Sequence, residues 1–428
     1  MSNKNILRLI AASALIETIG FSMVIPIFPL MFTEPSSSIY LLTDGIAEWA
    51  GYLILGTLFS LYTFAQFFSN PVLGQLSDRY GRRPILISAI GGTGIANLIF
   101  VAGIALANLP LLYIGRLIDG LTGGSISIMK SVAADLAESK DRAKNFGMIG
   151  AAMGVGIMFG PLVGGVFSND QLLPWFSPEL AFGISAALSL INAAILYFVL
   201  HETSPKEGTA SVSLLQSVRN IKKAVASKVG KVVFGVRALY AFAFTMFTSF
   251  FGVLLVSAYD FSQTEIGFTF FGIGLSVMIF QSLIIPRLDD KFAQRYVLIA
   301  GLCGLGVSLI LVALFAKVWV LIPAIVLFAA SNSSVSTAMT TIISRQTSKS
   351  NQGEILGVES SVQSLAQTLP GALAGVIAAL FSPWVPVAVS AGLFLAGALA
   401  VYYFHHLNVT ARNFKVWITF DYFHHCFF

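Results

Sequence analysis

Charge is scarce in this chain of 428 residues: Asp, Glu, Lys and Arg together make up 11%, against roughly 25% in water-soluble domains. With 56% hydrophobic residues, that shortage excludes a soluble enzyme, a disordered scaffold and a coiled coil. Cysteine is nearly absent. Cys303 sits in an apolar run and Cys426 near the C-terminal end, so neither a disulfide framework nor a metal-ligand cluster is expected. The five histidines, His201, His405, His406, His424 and His425, all lie outside the long apolar runs, which removes the side chain that most readily changes charge near neutrality. No G-x-x-x-x-G-K-[ST] phosphate loop occurs either, so no nucleotide or other cofactor is expected.

Long apolar runs are what the chain has in abundance. A membrane-spanning helix needs about 20 mostly apolar residues, because ~1.5 Å per residue must cross a ~30 Å hydrocarbon core with every backbone group bonded internally. Twelve segments qualify, centred near Ile19, Tyr62, Ile95, Thr122, Gly156, Leu190, Phe247, Ser276, Val307, Ala330, Gln367 and Phe394. The first, Ile6 to Phe32, exceeds a signal-peptide core and lacks a small-residue cleavage pattern, so it reads as a retained span. Of the 25 Lys and Arg residues, all but Lys317, Arg116 and Lys130 fall in one alternate set of loops and termini. Cytoplasmic loops retain positive charge. Both termini are therefore expected in the cytoplasm, beneath a cell inner (plasma) membrane, and the net charge of +5 needs no nucleic acid to explain it.

The longest polar, basic interval, residues 201–232, divides the spans into two sets of six. The halves echo one another. Leu76, Asp78, Arg79 and Arg83 follow the second span, and Leu288, Asp290, Lys291 and Arg295 stand 212 positions later, after the eighth. A shorter echo pairs Asp141 to Gly147 with Asn351 to Gly357. The expected organisation is an N-terminal six-helix bundle (1–200), a central cytoplasmic loop (201–232), a C-terminal six-helix bundle (233–404) and a tail (405–428) to which no role is assigned. Such duplication places a substrate site near the bilayer midplane between halves that rock.

Three motifs in this frame resemble the major facilitator superfamily, over essentially all of Asn5 to Phe404. The segment Gly74 to Arg83 matches the G-x-L-x-D-R-x-G-R-R signature between spans two and three, through Gly74, Leu76, Asp78, Arg79, Gly81, Arg82 and Arg83. In span five, Gly156, Gly160, Pro161, Gly164 and Gly165 match the G-x-x-x-G-P-x-x-G-G pattern associated with proton-driven antiporters. In span four, Arg116 and Gly120 resemble the R-x-x-x-G motif of drug/proton antiporters, and Glu17 to Pro29 resembles the first span of tetracycline-resistance efflux proteins. The resemblance implies an all-α membrane protein of the major facilitator fold, with twelve transmembrane helices in two pseudo-symmetric six-helix bundles. It implies a drug/proton antiporter working by alternating access, as a functional monomer. Its partners would be lipid, protons and a small-molecule substrate; it would be no enzyme.

The same residues carry a physical reading. Asp78 and the arginines after it stand at the membrane face, where a carboxylate can meet a helix N-terminus and the basic groups can pair with Asp135. Such a cluster can latch one conformation, or simply anchor a tight turn. Gly156, Gly160 and Gly164 recur every four residues on one helical face, so another backbone can approach closely, while Pro161 removes a hydrogen bond. Ionisable groups deep in a span are costly and usually functional. Glu17 and Asp119 are the candidates, both in the first half. Arg116 precedes Asp119 by three residues, on the same helix face, where it can tune a carboxylate. Glu17, joined by Asp119, is therefore expected to take up the coupled proton, with Arg116 modulating it; an inert ion pair between spans one and four is the plain alternative. Lys130 can snorkel to the interface.

The second half shows polar and aromatic residues without a mid-span charge. Tyr240 and Phe247 in span seven, Asn332 in span ten, and Gln363 and Gln367 in span eleven suggest a cavity wall that Gln66, Asn70 and Gln281 would extend. One charged wall facing one polar, aromatic wall suits drug-like or amphipathic compounds. Two other functions fit the scaffold: proton-coupled symport of a sugar, organic anion or siderophore, which the span-five motif argues against, and a non-transporting membrane receptor.

Overall fold

The structure, a computed structural model, describes residues 3–42, 46–136, 142–203, 219, 228–285, 287, 293–315, 317–345 and 352–410. Most of the central loop, most of the second basic segment (286 and 288–292) and the tail beyond Thr410 lie outside the described residues, as does Asn351, where the shorter repeat resumes. The first span runs as α1 (Asn3–Ser22) and α2 (Val24–Thr33), followed by α3 (Glu48–Tyr80) and α4 (Arg82–Ala105). The fourth is divided into α5 (Leu109–Thr122) and α6 (Ser125–Asp135), and α7 (Arg142–Phe167) and α8 (Pro178–Val199) complete the first six. The second six comprise α9 (Lys228–Tyr259), α10 (Gln263–Ile279) with a π-helical turn at Phe280–Ile284, α11 (Gln294–Leu314), α12 (Val318–Arg345), α13 (Gln352–Ala366) continued by α14 (Pro370–Leu380), and α15 (Val385–Thr410).

The breaks follow from local chemistry. Pro26 has no N–H for the Ser22 carbonyl and crowds it, so the first span steps at Met23. The fourth span departs from the single run read in the sequence: Gly123 and Gly124 separate α5 from α6. The freed groups find partners inside the protein, as a hydrocarbon environment demands. Gln66 Nε2 donates to the Gly123 carbonyl at 3.2 Å and Ser69 Oγ to the Gly120 carbonyl at 3.0 Å. Among the described residues, eleven helices are long and apolar enough to cross a membrane; α5 and α6 together supply the twelfth crossing. Asn108 caps α5, Ser177 caps α8, and Ser262 with Glu265 forms a capping box on α10.

Within the first bundle α1 packs on α7 and α4 on α5 and α8; within the second α11 packs on α12 and α15. The bundles meet through α7 with α10, α3 with α14 and α2 with α9. These contacts gather at the end of the molecule carrying the loops 168–177 and 260–262. Gly56 lies against Gly371 and Gly375, and Gly165 and Gly267 bring α7 and α10 into backbone contact. Thr63 Oγ1 donates to the Gln367 carbonyl at 2.9 Å, and Ser60 Oγ accepts from the Ala372 amide, free at the start of α14, at 2.7 Å. Toward the end bearing Arg79 to Arg83 the bundles part, and Gly147, Gly150 and Gly154 of α7 face open space.

Candidate functional site

A cavity of about 1070 Å³ lies between the bundles, lined by α1, α3, α5, α6 and α7 on one side and by α9, α10, α12 and α13 on the other. Glu17 stands in its wall, 7% exposed. Its Oε2 accepts from Ser125 Oγ at 3.2 Å and from Thr93 Oγ1 at 3.5 Å, whereas Oε1 is buried without a hydrogen bond, as is the hydroxyl of Ser189, which also bears on this carboxylate. A carboxylate in that condition carries a large desolvation cost, which a proton or a cation can remove. The break in the fourth span places this contact, since Ser125 is the first residue of α6.

Arg116 is 2% exposed and pairs with Asp119, Nη1 to Oδ2, at 3.2 Å. Its guanidinium sits over Phe28, Tyr62, Phe59 and Phe100, with centroid distances from 4.9 to 5.9 Å. Cation–π attraction strengthens where water is excluded, so the rings stand in for the hydration this cation has lost. The structure thus brings Glu17, Arg116 and Asp119 to one wall of the cavity.

Gly74, Asp78, Arg79, Gly81, Arg82, Arg83 and Asp135 gather at the open end. Arg82 pairs with Asp78 and, through Nε, with Asp135 at 3.1 Å, and it donates to Ser77 Oγ at 2.7 Å. Arg79 stacks on Tyr80. Gly81 has φ +103°, a conformation that favours glycine, and the Glu202 carboxylate occupies the space a Cβ would need. Glu202 also accepts from the Arg82 amide at 2.8 Å and the Arg83 amide at 3.3 Å, capping α4 from just beyond α8. The sequence reading left Glu202 in the central loop; its signal was an acidic residue within a few positions of the end of span six. Replacing Glu202 with alanine is expected to lower stability by about 1 kcal/mol, the usual worth of a cap, read as a lower unfolding temperature of the purified protein.

The span-five motif connects span one to the opposite bundle. Gly156 abuts Thr18 and the Leu15 carbonyl, Gly160 abuts Ser22, and Gly164 the Met23 carbonyl, while Gly165 and Pro161 meet Gln263 and Gly267 of α10. Ser22 Oγ also reaches the Gly156 carbonyl at 3.3 Å. The α7 helix runs through Pro161 unbroken. Glu17 therefore rides on a helix packed backbone to backbone against the element that touches the second half.

Gln66, Phe247, Gln281, Asn332, Gln363 and Gln367 line the cavity; Asn70 and Tyr240 do not. Asn70 faces Gly124 at the helix break, and the Tyr240 hydroxyl turns to donate to Asn332 Oδ1 at 2.6 Å. Away from mid-span, the second half holds an ion pair that the sequence reading did not identify, Arg237 with Glu359. Arg237, read in the sequence as part of the basic central segment, lies inside α9 and pairs with Glu359 of α13, Nε to Oε1, at 3.1 Å. It also donates to Gln363 Oε1 at 2.7 Å. The missed signal was spacing: Glu359 precedes Gln363 by four residues, one turn on the same face.

The family model of the Major Facilitator Superfamily matches residues 10–279 and 233–417. The chain is 26% identical over 349 residues to the class B tetracycline resistance protein of Escherichia coli, covering 80% of this chain and 81% of that one. It is 27% identical over 358 residues to the class D tetracycline resistance protein of Salmonella ordonez, covering 80% and 82%. The crystal structure of the human organic anion transporter MFSD10 superposes with a TM-score of 0.68 at 20% identity, covering 94% of this chain and 100% of that one. Two helical bundles around a central cavity, the matched signature loop and the span-five motif all agree with that match. This chain belongs to the major facilitator superfamily.

Proposed function

We propose that the protein exports drug-like or amphipathic small molecules in exchange for protons by alternating access. The observation that carries this reading is Glu17: a buried carboxyl with one unpartnered oxygen, in the wall of a cavity that both bundles line. In this role Glu17 takes the proton, and Arg116 with Asp119 sets how readily it does so. The likeness to tetracycline resistance proteins supports export of a drug. With Arg79 to Arg83 on the cytoplasmic side, the conformation seen is open inward, the state that loads substrate for export.

Gate and hinge follow from the packing. The cluster of Arg82 with Asp78 and Asp135 holds the cytoplasmic face of the first bundle ready for closure, and the glycines of span five let α1 and α10 slide against α7. Asp78→Asn is expected to slow conformational exchange a few-fold, the size a pair with one exposed partner, worth about 1 kcal/mol, allows, without removing substrate binding. Stopped-flow transport beside equilibrium binding measures both, and unchanged turnover would remove Asp78 from the gate.

The function itself is tested in inverted membrane vesicles offered tetracycline and a panel of fluorescent drugs, with and without an imposed proton gradient. Gradient-dependent accumulation supports export by antiport. Uptake only in the opposite orientation would replace it with symport of a metabolite, the organic-anion class included.

A further inference from the structure

Two charged clusters of opposite balance stand along this cavity, one in its wall and one a helical turn beyond its lining. The inner cluster holds two carboxylates to one cation: Glu17 and Asp119 with Arg116. Oε1 of Glu17 is buried without a partner. The outer cluster, nearer the open end, holds two cations to one carboxylate. Lys130 follows the cavity-lining Ile126 by four residues on α6, so it stands one turn further out on the same face. It is exposed, and among the described residues it makes no ion pair. Glu359 stands one turn outward of the cavity-lining Gln363, on the opposite bundle, and its charge acts on Lys130 across the gap. Arg237 already satisfies Glu359 at 3.1 Å, which leaves the Lys130 ammonium in excess.

We propose, resting on the reading of this cavity as the transport site, that its substrate is a zwitterionic amphiphile whose cationic group goes to Glu17 and whose anionic group goes to Lys130. Charges set in a cleft with low-dielectric protein walls interact more strongly than in bulk water, and a ligand that matches both gains over one that matches a single charge. A simple cation would satisfy Glu17 and leave Lys130 unmatched; a simple anion would do the reverse. A molecule carrying both charges satisfies both ends. The distance it must span is set by α6: Ser125 holds Glu17 at 3.2 Å, and Lys130 follows Ser125 by five residues, roughly 7.5 Å along the axis. The aromatic rings of Phe21, Phe244 and Phe247 line the walls for its apolar body. The cationic end and the coupled proton compete for the same carboxyl, which is what exchange requires.

The test is equilibrium binding to the purified full-length chain, followed by ligand fluorescence, with three probes of one skeleton. Norfloxacin is a zwitterion at pH 7, its methyl ester is a cation and its N-acetyl derivative an anion. Norfloxacin is expected to bind at least about tenfold tighter than either derivative, a ratio typical of one matched charge. Lys130→Gln is expected to erase the preference over the ester while keeping the affinity for the ester, and Lys130→Arg to restore it. Glu17→Gln is expected to erase the preference over the N-acetyl derivative. Equal affinities for the three probes, binding of none, or an unchanged ratio in Lys130→Gln would overturn the proposal. No gradient enters this measurement, so an intact ratio without gradient-driven transport would sink the antiport reading alone. Transport with equal affinities would sink the zwitterion alone.

Discussion

Inverted vesicles carrying Glu17→Gln are expected to accumulate no drug beyond the level reached without a gradient, while still equilibrating it across the membrane. Glutamine has nearly the shape of glutamate and retains an acceptor for Ser125 and Thr93, the two hydroxyls that hold Oε2. What it lacks is a charge that changes. The oxygen left without a partner, Oε1, is where a proton would bind, and an amide cannot bind one at any working pH. Folding should survive, because the substitution removes a desolvated charge rather than a packed group; the unfolding temperature is expected to stay equal to or above that of the parent. Gradient-driven accumulation at the parent rate would remove Glu17 from the coupling path. A collapse in the unfolding temperature would instead make it a structural residue.

The second large effect concerns Arg116. Removing one member of a buried pair strands the other, at about 3–5 kcal/mol, so Arg116→Met should be among the most destabilising substitutions in the first bundle. The carboxylate left behind is Asp119, at 3.2 Å in the parent. Adding Asp119→Asn should recover most of the loss, because the double variant buries no unpaired charge. Arg116→Lys is expected to fall between. It keeps the charge but not the planar guanidinium that Phe28, Phe59, Tyr62 and Phe100 surround, and an ammonium is more strongly hydrated. Unfolding temperatures of the parent, Arg116→Met, Asp119→Asn and the double variant close this cycle, with Arg116→Lys measured beside them. Additive losses in the double variant would mean that Arg116 is held by the rings alone.

These two substitutions differ in kind. Glu17 carries an unsatisfied acceptor oxygen with no ion pair of its own, whereas Arg116, although its Nε and Nη2 also make no hydrogen bond, is paired with a carboxylate and surrounded by four rings. The proposed division of labour follows from that difference: one group exchanges its partner during the cycle, and the other holds the local field steady.

Much of this protein was legible in its sequence, because a bilayer imposes one-dimensional rules. Span length, the alternation of basic loops, the helical face shared by Gly156, Gly160 and Gly164, and the three-residue step from Arg116 to Asp119 are all local along the chain, and helix geometry converts each into a position. Glu17 stood out because a charge at that depth is costly to place. What only the tertiary structure decided depends on which helix lies beside which. Arg237 looked like one more basic residue of the central loop until α13 brought Glu359 to within 3.1 Å of it. Glu202 caps α4 only because the end of α8 folds back against Gly81. The division of the fourth span at Gly123 and Gly124 rests on Gln66 and Ser69 of a neighbouring helix, which take up the carbonyls that the break and its approach expose. Local sequence records the energy of placing a residue in the membrane; the partner that makes a buried charge or a broken helix tolerable comes from elsewhere in the chain, and packing alone supplies it.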